Sequence, residues 1–129
     1  MGMNSVSLLI SIVDDEQSTR EGLASLLRSA GFATEVFASA EDFLSLSDRD
    51  GAACLILDVR LPGISGFELQ DQLSAANRRI PVIFISGHAD EVARDRALKA
   101  GAVDFLEKPV RRDALLNAVD SALQQKDQS

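Results

Sequence analysis

Apolar residues along this chain fall into blocks of two kinds. In one kind they follow one another almost without a break: Leu8 to Val13, Ala33 to Phe37, Cys54 to Leu57, Pro81 to Ile85 and Val103 to Leu106. Short runs of this sort, bounded by turn residues, suit strands buried on both faces, although periodicity alone leaves a buried helix segment open. In the other kind the apolar residues recur every three or four positions, as in Leu23, Leu26, Leu27 and Ala30, or Leu115, Leu116, Val119, Ala122 and Leu123. That spacing predicts helices with one core-facing stripe.

Taken in order, the pattern predicts β1 over Leu8–Val13 and α1 after it, opened by a capping box of Ser18 and Glu21 and closed by Gly31 at C′. β2 follows at Ala33–Phe37. Ser39, with Asp42 three residues on, predicts a cap for a short α2 bearing Phe43, Leu44 and Leu46. The polar segment Ser47-Asp48-Arg49-Asp50-Gly51 leads to the central strand β3, Cys54–Asp58, which Leu61-Pro62-Gly63 ends. Phe67, Leu69 and Leu73 predict α3 to about Ala76, and Pro81–Gly87 predicts β4, with proline tolerated at its first position. α4 is expected from about Glu91 to Ala100, ending on Gly101; β5 covers Val103–Glu107, and α5 runs from about Arg112 to Gln125. Arg111 and Arg112 open α5 without a good N-cap, at the unfavourable end of the helix dipole.

Five strands alternating with five helices imply an α/β fold, a parallel sheet with helices on both faces and right-handed crossovers. The expected boundaries are a disordered or cloning-derived start at 1–7, one domain at 8–125, and a tail at 126–129. A chain of 129 residues carries a single substantial core.

Composition narrows the function. The net charge of −7 disfavours direct contact with nucleic acid or an anionic membrane, since phosphate backbones demand a clustered positive surface. Any role at DNA therefore needs another domain. The one cysteine, Cys54, lies within the β3 run and forms neither an intrachain disulfide nor a cysteine metal cage, which points to a reducing, cytoplasmic setting. No apolar run approaches the roughly 18 residues of a membrane span.

Polar residues end four of the predicted strands: Asp14 and Asp15, Asp58, Ser86, and Lys108. In a doubly wound sheet such ends meet in one crevice. Two unit charges about 4 Å apart repel by roughly 4 kcal/mol at an effective dielectric near 20, so three carboxylates there need a cation or protons. Oxygen ligands without Cys or His favour Mg²⁺, and Lys108 adds a compact charge for a phosphate oxygen. Asp58 beside both is equipped as a nucleophile forming an aspartyl phosphate, with Ser86 donating to the transferred group. Taken singly, Asp58 and Ser86 also read as turn or cap residues, Phe105 as plain core, and the single histidine, His88, as a loop residue.

Four segments in this order and spacing resemble the receiver domain of two-component response regulators: Ile12-Val13-Asp14-Asp15-Glu16, Asp58 to Gly66, Ser86-Gly87, and Phe105-Leu106-Glu107-Lys108-Pro109. The resemblance covers about Leu8 to Leu123. Gly87-His88-Ala89-Asp90 and Lys99 to Phe105 look most like the nitrogen-fixation regulator subfamily. It implies a doubly wound five-stranded parallel sheet in the order 2-1-3-4-5 with five helices, as in flavodoxin and the chemotaxis receiver. It also implies that Asp58 accepts phosphate from a sensor histidine kinase, with Lys108 and Ser86 assisting. Asp15, Asp58 and the Arg60 carbonyl would hold Mg²⁺ or Mn²⁺, and Asp14 would act through water. Ser86 and Phe105 match the switch pair, and Arg60 and His88 the positions that influence phosphoryl lifetime. The Lys108-Pro109 bond is implied to be cis.

The expected protein is thus a phosphoacceptor that assists its own phosphorylation and dephosphorylation, not a conventional enzyme. Phosphorylation would alter the face of α4, β5 and α5, through a homodimer or a DNA-binding output domain outside this chain. The other expectation is a stand-alone phosphorelay shuttle or interaction module. A flavodoxin would need a Ser/Thr-Gly phosphate loop after β1, where this chain is acidic, and aromatics to stack flavin, whereas Trp and Tyr are absent. A phosphatase of the aspartyl-nucleophile type would want Asp where Arg60 stands.

Overall fold

The computed structural model describes residues 8–46, 51–88 and 91–127. Among these residues the elements are β1 (Leu9–Val13), α1 (Gln17–Ser29), β2 (Ala33–Phe37), α2 (Ala40–Leu46) and β3 (Ala52–Asp58), then α3 (Gly66–Ala75), β4 (Val82–Ser86), α4 (Glu91–Lys99), β5 (Asp104–Glu107) and α5 (Arg112–Asp127). The strands form one parallel sheet in the order β2-β1-β3-β4-β5. The expected doubly wound topology is therefore present. The expected loop Ser47–Asp50, the pair Ala89-Asp90, residues 1–7 and the last two residues of the tail lie outside the described residues. α5 continues two residues beyond its predicted end.

β3 lies at the centre and is buried along all seven residues, because neighbours pair with both of its edges and helices cover both of its faces. Its side chains alternate between two cores, as the period of a strand requires. Cys54 and Ile56 join Ile10, Ile12, Leu23, Leu27, Leu115 and Val119 under α1 and α5. Leu55 and Leu57 join Val13, Phe43, Leu69, Phe84 and Phe105 on the face covered by α2, α3 and α4. Fully burying each Leu, Ile or Phe contributes roughly 1.5–3 kcal/mol, so this double cover is the main stabilising term.

The register brings the site together. Val13 pairs with Leu57, Asp58 with Ile85, and Ser86 with Glu107, so the carboxyl ends of β1, β3, β4 and β5 finish at nearly one level.

Several local expectations need correction. α1 begins at Gln17 with Glu16 as N-cap, so Ser18 lies inside the helix and caps nothing. The reason is that Asp14 Oδ1 accepts the Glu16 N–H at 2.8 Å and turns the chain early, after which the Arg20 N–H reaches the Glu16 carbonyl at 3.0 Å. Glu21 instead accepts a hydrogen bond from Gln17 Nε2 at 2.9 Å. Ala30 is an exposed C-cap, and Ala24 fills its expected place in the core. The cap of α2 is as expected, with the Asp42 N–H donating to Ser39 Oγ at 3.0 Å. Gly31, with φ of 98°, takes the left-handed conformation its place after α1 requires.

A capping box that sequence reading passed over opens α3. Ser65 Oγ accepts the Glu68 N–H at 3.2 Å, and Glu68 Oε1 accepts the Ser65 N–H at 3.1 Å. It fixes the start of α3 directly after the loop that leaves Asp58.

Candidate functional site

Asp14 and Asp58 emerge from the ends of two adjacent buried strands, and each is fixed by its own backbone. Asp14 Oδ1 accepts the N–H of Glu16 at 2.8 Å, and Asp58 Oδ1 accepts the N–H of Arg60 at 3.0 Å. These Asx-type turns leave the second oxygen of each carboxylate facing the crevice. Arg20 Nη1 donates to the Asp14 carbonyl at 2.9 Å, tying the β1–α1 turn to α1.

Lys108 closes the group from the end of β5. Its Nζ lies 2.9 Å from Asp14 Oδ2, 2.9 Å from Glu16 Oε1 and 3.1 Å from Asp58 Oδ2. The contacts to Glu16 and Asp58 are directed hydrogen bonds. The one to Asp14 is a charge contact off the hydrogen-bond line, so Asp14 Oδ2 is a buried oxygen without a hydrogen-bond donor. The main chain leaves Lys108 through a cis Lys108-Pro109 peptide, as expected.

Electrostatics follow from burial. Asp58 is only 4% exposed, and burial pushes its carboxyl above the ordinary aspartate value; the Arg60 N–H and Lys108 pull it down, and Asp14 adds to the rise. Burial alone would lower the Lys108 ammonium, but the Asp14 carboxylate beside it and its hydrogen bonds to Glu16 and Asp58 outweigh burial and raise it. The two directions agree physically: one cation shared among three carboxylates is held firmly charged, while no single carboxylate is fully compensated. Glu16, out in solvent, is held below the ordinary glutamate value by its hydrogen bond to Lys108.

Asp14, Asp15 and Asp58 each place a carboxylate oxygen within 4.8 Å of one another, Asp15 being exposed and the other two buried. This all-oxygen donor set, with one buried oxygen lacking a donor, fits a hard cation reached from the solvent side.

The remaining predicted residues sit around this centre in unequal ways. Ser86 is buried at the end of β4, and its Oγ donates to the His88 carbonyl at 3.1 Å while accepting the His88 N–H at 3.2 Å. The hydroxyl is thus engaged as a turn cap. His88 itself is exposed, as is Arg60. Phe105 is buried in the core beneath α4, where the Arg94 guanidinium lies 6.0 Å from its ring centroid and donates to its carbonyl at 3.1 Å.

Gly66 explains how tightly the loop is drawn. A Cβ there would lie 2.3 Å from the Asp58 carbonyl oxygen and 3.1 Å from Val59 Cα, so only glycine lets α3 start against the end of β3. Glu16 is the site residue that sequence reading left without a role. Its signal was its place directly after the acid pair, but its partner lies 92 residues away.

A doubly wound sheet whose carboxyl edge carries an acidic crevice closed by a lysine defines a narrow class of α/β proteins. Within it, the chain belongs to the response regulator receiver domain family of two-component systems: the family profile matches residues 10–120. The chain is 47% identical over 121 residues to the response regulator protein TodT of Pseudomonas putida (strain F1), covering 94% of this chain and 53% of TodT. It is 42% identical over 117 residues to the transcriptional regulatory protein FixJ of Azorhizobium caulinodans, covering 91% of this chain and 56% of FixJ. Among solved structures, the response regulator StyR superposes with a TM-score of 0.87 at 46% identity, covering 95% of this chain and 62% of that one. FixJ-N superposes with a TM-score of 0.84 at 39% identity, covering 93% of this chain and 96% of that one. The chain spans about half the length of the curated relatives it matches. Among the described residues no helix is long and apolar enough to cross a membrane.

Proposed function

We propose that this receiver takes a phosphoryl group onto Asp58 from the phosphohistidine of a sensor histidine kinase. The observation that carries the reading is the placing of Lys108 Nζ between Asp58 Oδ2 at 3.1 Å and Asp14 Oδ2 at 2.9 Å, beside the exposed Asp15. A carboxylate oxygen of Asp58 attacks phosphorus in line as the P–N bond to the kinase imidazole breaks; the imidazole, already protonated on its other ring nitrogen, leaves as the neutral ring with the bond's electron pair. Lys108 offsets charge on the equatorial oxygens, and the backbone bond from Arg60 N–H holds the other Asp58 oxygen out of the way.

Asp15, Asp58 and the Arg60 carbonyl would hold Mg²⁺ or Mn²⁺, with Asp14 acting through water. The ion would neutralise charge on the transferring group. Ser86 gives up its bonds to His88 to donate to the bound phosphoryl group, and Phe105 repacks with it beneath α4. Arg60 and His88, exposed on the two loops beside the site, set how readily water reaches the aspartyl phosphate. The resulting population shift alters the face of α4, β5 and α5, which serves a phosphorylation-dependent homodimer.

The relatives' additional length favours an output domain beyond the receiver, and the transcriptional regulators among them favour a DNA-binding one. DNA contact is then indirect for this acidic domain, and its setting is the cytoplasm.

Intact mass after incubation with phosphoramidate tests the reading. A gain of one phosphoryl group that requires Mg²⁺ and is abolished in Asp58→Asn is the expected result. Unchanged labelling of Asp58→Asn would sink it.

A further inference from the structure

Lys108 Nζ is surrounded by three carboxylate oxygens, two at 2.9 Å and one at 3.1 Å, and a lysine ammonium has three N–H donors. Two of those oxygens, from Glu16 and Asp58, take directed hydrogen bonds and the third, Asp14 Oδ2, is in charge contact, so an incoming phosphoryl oxygen competes with carboxylates already crowded around the ammonium. Asp14 and Asp58 are buried and pinned through their Oδ1 atoms by the backbone two residues on. Glu16 differs from both: its side chain is 59% exposed, and although Glu16 is the N-cap residue of α1, its carboxylate makes no capping bond. Its other contact is a long 3.4 Å bond from Thr19 Oγ1. Water can solvate the Glu16 carboxylate once it lets go, whereas the buried pair has no such replacement.

We infer that Glu16 is a positioning residue that occupies Lys108 in the unphosphorylated receiver and yields its place to the phosphoryl group. This rests on the phosphoacceptor reading above. Glu16 holds the ammonium over the crevice before transfer and competes with the incoming group during it. Once a phosphoryl oxygen has the donor, Glu16 is outside the reaction. The device therefore acts on acquisition of the phosphoryl group and not on its loss.

The test compares wild type with Glu16→Gln and Glu16→Ala, using phosphoramidate with Mg²⁺ and intact mass as the readout. Both variants should take up the phosphoryl group about two- to fivefold faster, the range set by the strength of an exposed ion pair. Decay of the adduct after removal of the donor should stay at the wild-type rate. Affinity for beryllofluoride with Mg²⁺ should rise by a similar factor, a change that a purely structural role for the side chain would not produce. Wild-type labelling with unchanged uptake in both variants overturns this inference and leaves the phosphoacceptor reading standing. Uptake and decay accelerated together also overturn it, as the signature of a general loosening of the site. No adduct on the wild type overturns both.

Discussion

Asp14 and Asp58 use the same local device at the ends of neighbouring strands. Each gives one oxygen to the backbone N–H two residues on, at 2.8 and 3.0 Å, and turns the other toward Lys108 Nζ, at 2.9 and 3.1 Å. The backbone bonds fix both carboxylates before any ligand arrives. They also commit the fold to two buried negative charges that share one cation with a third carboxylate. Three carboxylates crowded on one cation cost stability, and this is measurable.

Asp58→Asn should stabilise the metal-free protein at neutral pH by about 1–2 kcal/mol, because it removes one of three carboxylates crowded on a single cation and leaves Lys108 with Asp14 and Glu16. The sign follows from the pKa. Burial raises the Asp58 carboxyl above its ordinary value of 3.8, so the folded state binds the proton more tightly than the unfolded state. The associated stability is fully present below pH 3.8 and is lost as pH rises through the folded-state value. The gap between variant and wild type should therefore be small in acid, open above pH 3.8 and stop growing once pH has passed the folded-state value. Urea unfolding with a chelator across pH 3 to 8 measures it, and a pH-independent gap would count against this account.

What was legible in the sequence divides along physical lines. The strand β3 and Asp58 at its end were readable because burial on both faces writes itself as an unbroken apolar run. Asp14, Asp15, Ser86 and Lys108 were readable because each follows such a run. The start of α1 was misread, since the spacing of Ser18 and Glu21 is a generic cap signal. The turn made by Asp14 carries the chain into helix before that signal can act. The capping box of Ser65 and Glu68 was hidden by Gly63 before it and Gly66 within it, which read as loop. The bond from Lys108 to Glu16 spans 92 residues, and only the assembled sheet brings the two together. Ser86 fitted two roles on paper, and its hydroxyl is found in the turn-capping one.

Mg²⁺ should raise the thermal midpoint in a saturable way, with a gain of about 2.7 kcal/mol at a hundred times the dissociation constant. Asp15→Asn should remove most of this gain while leaving the metal-free midpoint nearly unchanged, because Asp15 is exposed and takes no part in the bonds to Lys108. Calorimetric melts with and without Mg²⁺ decide the matter; a full gain in Asp15→Asn would remove that residue from the metal site.

Ser86→Ala should cost about 1 kcal/mol, since the His88 N–H and carbonyl both lose the hydroxyl that joins them. The loss should be local. Amide exchange at His88 should speed up while exchange in β3 follows global stability alone, and hydrogen-exchange mass spectrometry separates the two. Equal acceleration in both places would mean that the turn and the sheet open as one unit.

Three glycines provide a matched set whose outcomes have opposite signs. Gly66→Ala would drive a Cβ to 2.3 Å from the Asp58 carbonyl oxygen, with Val59 Cα at 3.1 Å behind it. Both neighbours are backbone, so neither can rotate aside, and the start of α3 or the end of β3 must shift. Overpacking of this kind typically costs about 1–3 kcal/mol. Because the displaced atom belongs to Asp58, labelling by phosphoramidate should fall as well. Gly87→Ala meets nothing within 4 Å and should stay within about 0.5 kcal/mol of wild type. Gly22→Ala, on the exposed side of α1 and likewise free of neighbours, should stabilise by about 0.5–1 kcal/mol, because alanine loses less backbone entropy in a helix. Urea midpoints for the three variants read all of this in one experiment. A Gly66→Ala protein as stable and as readily labelled as wild type would show that the approach of α3 to Asp58 is not what holds the carboxylate in place.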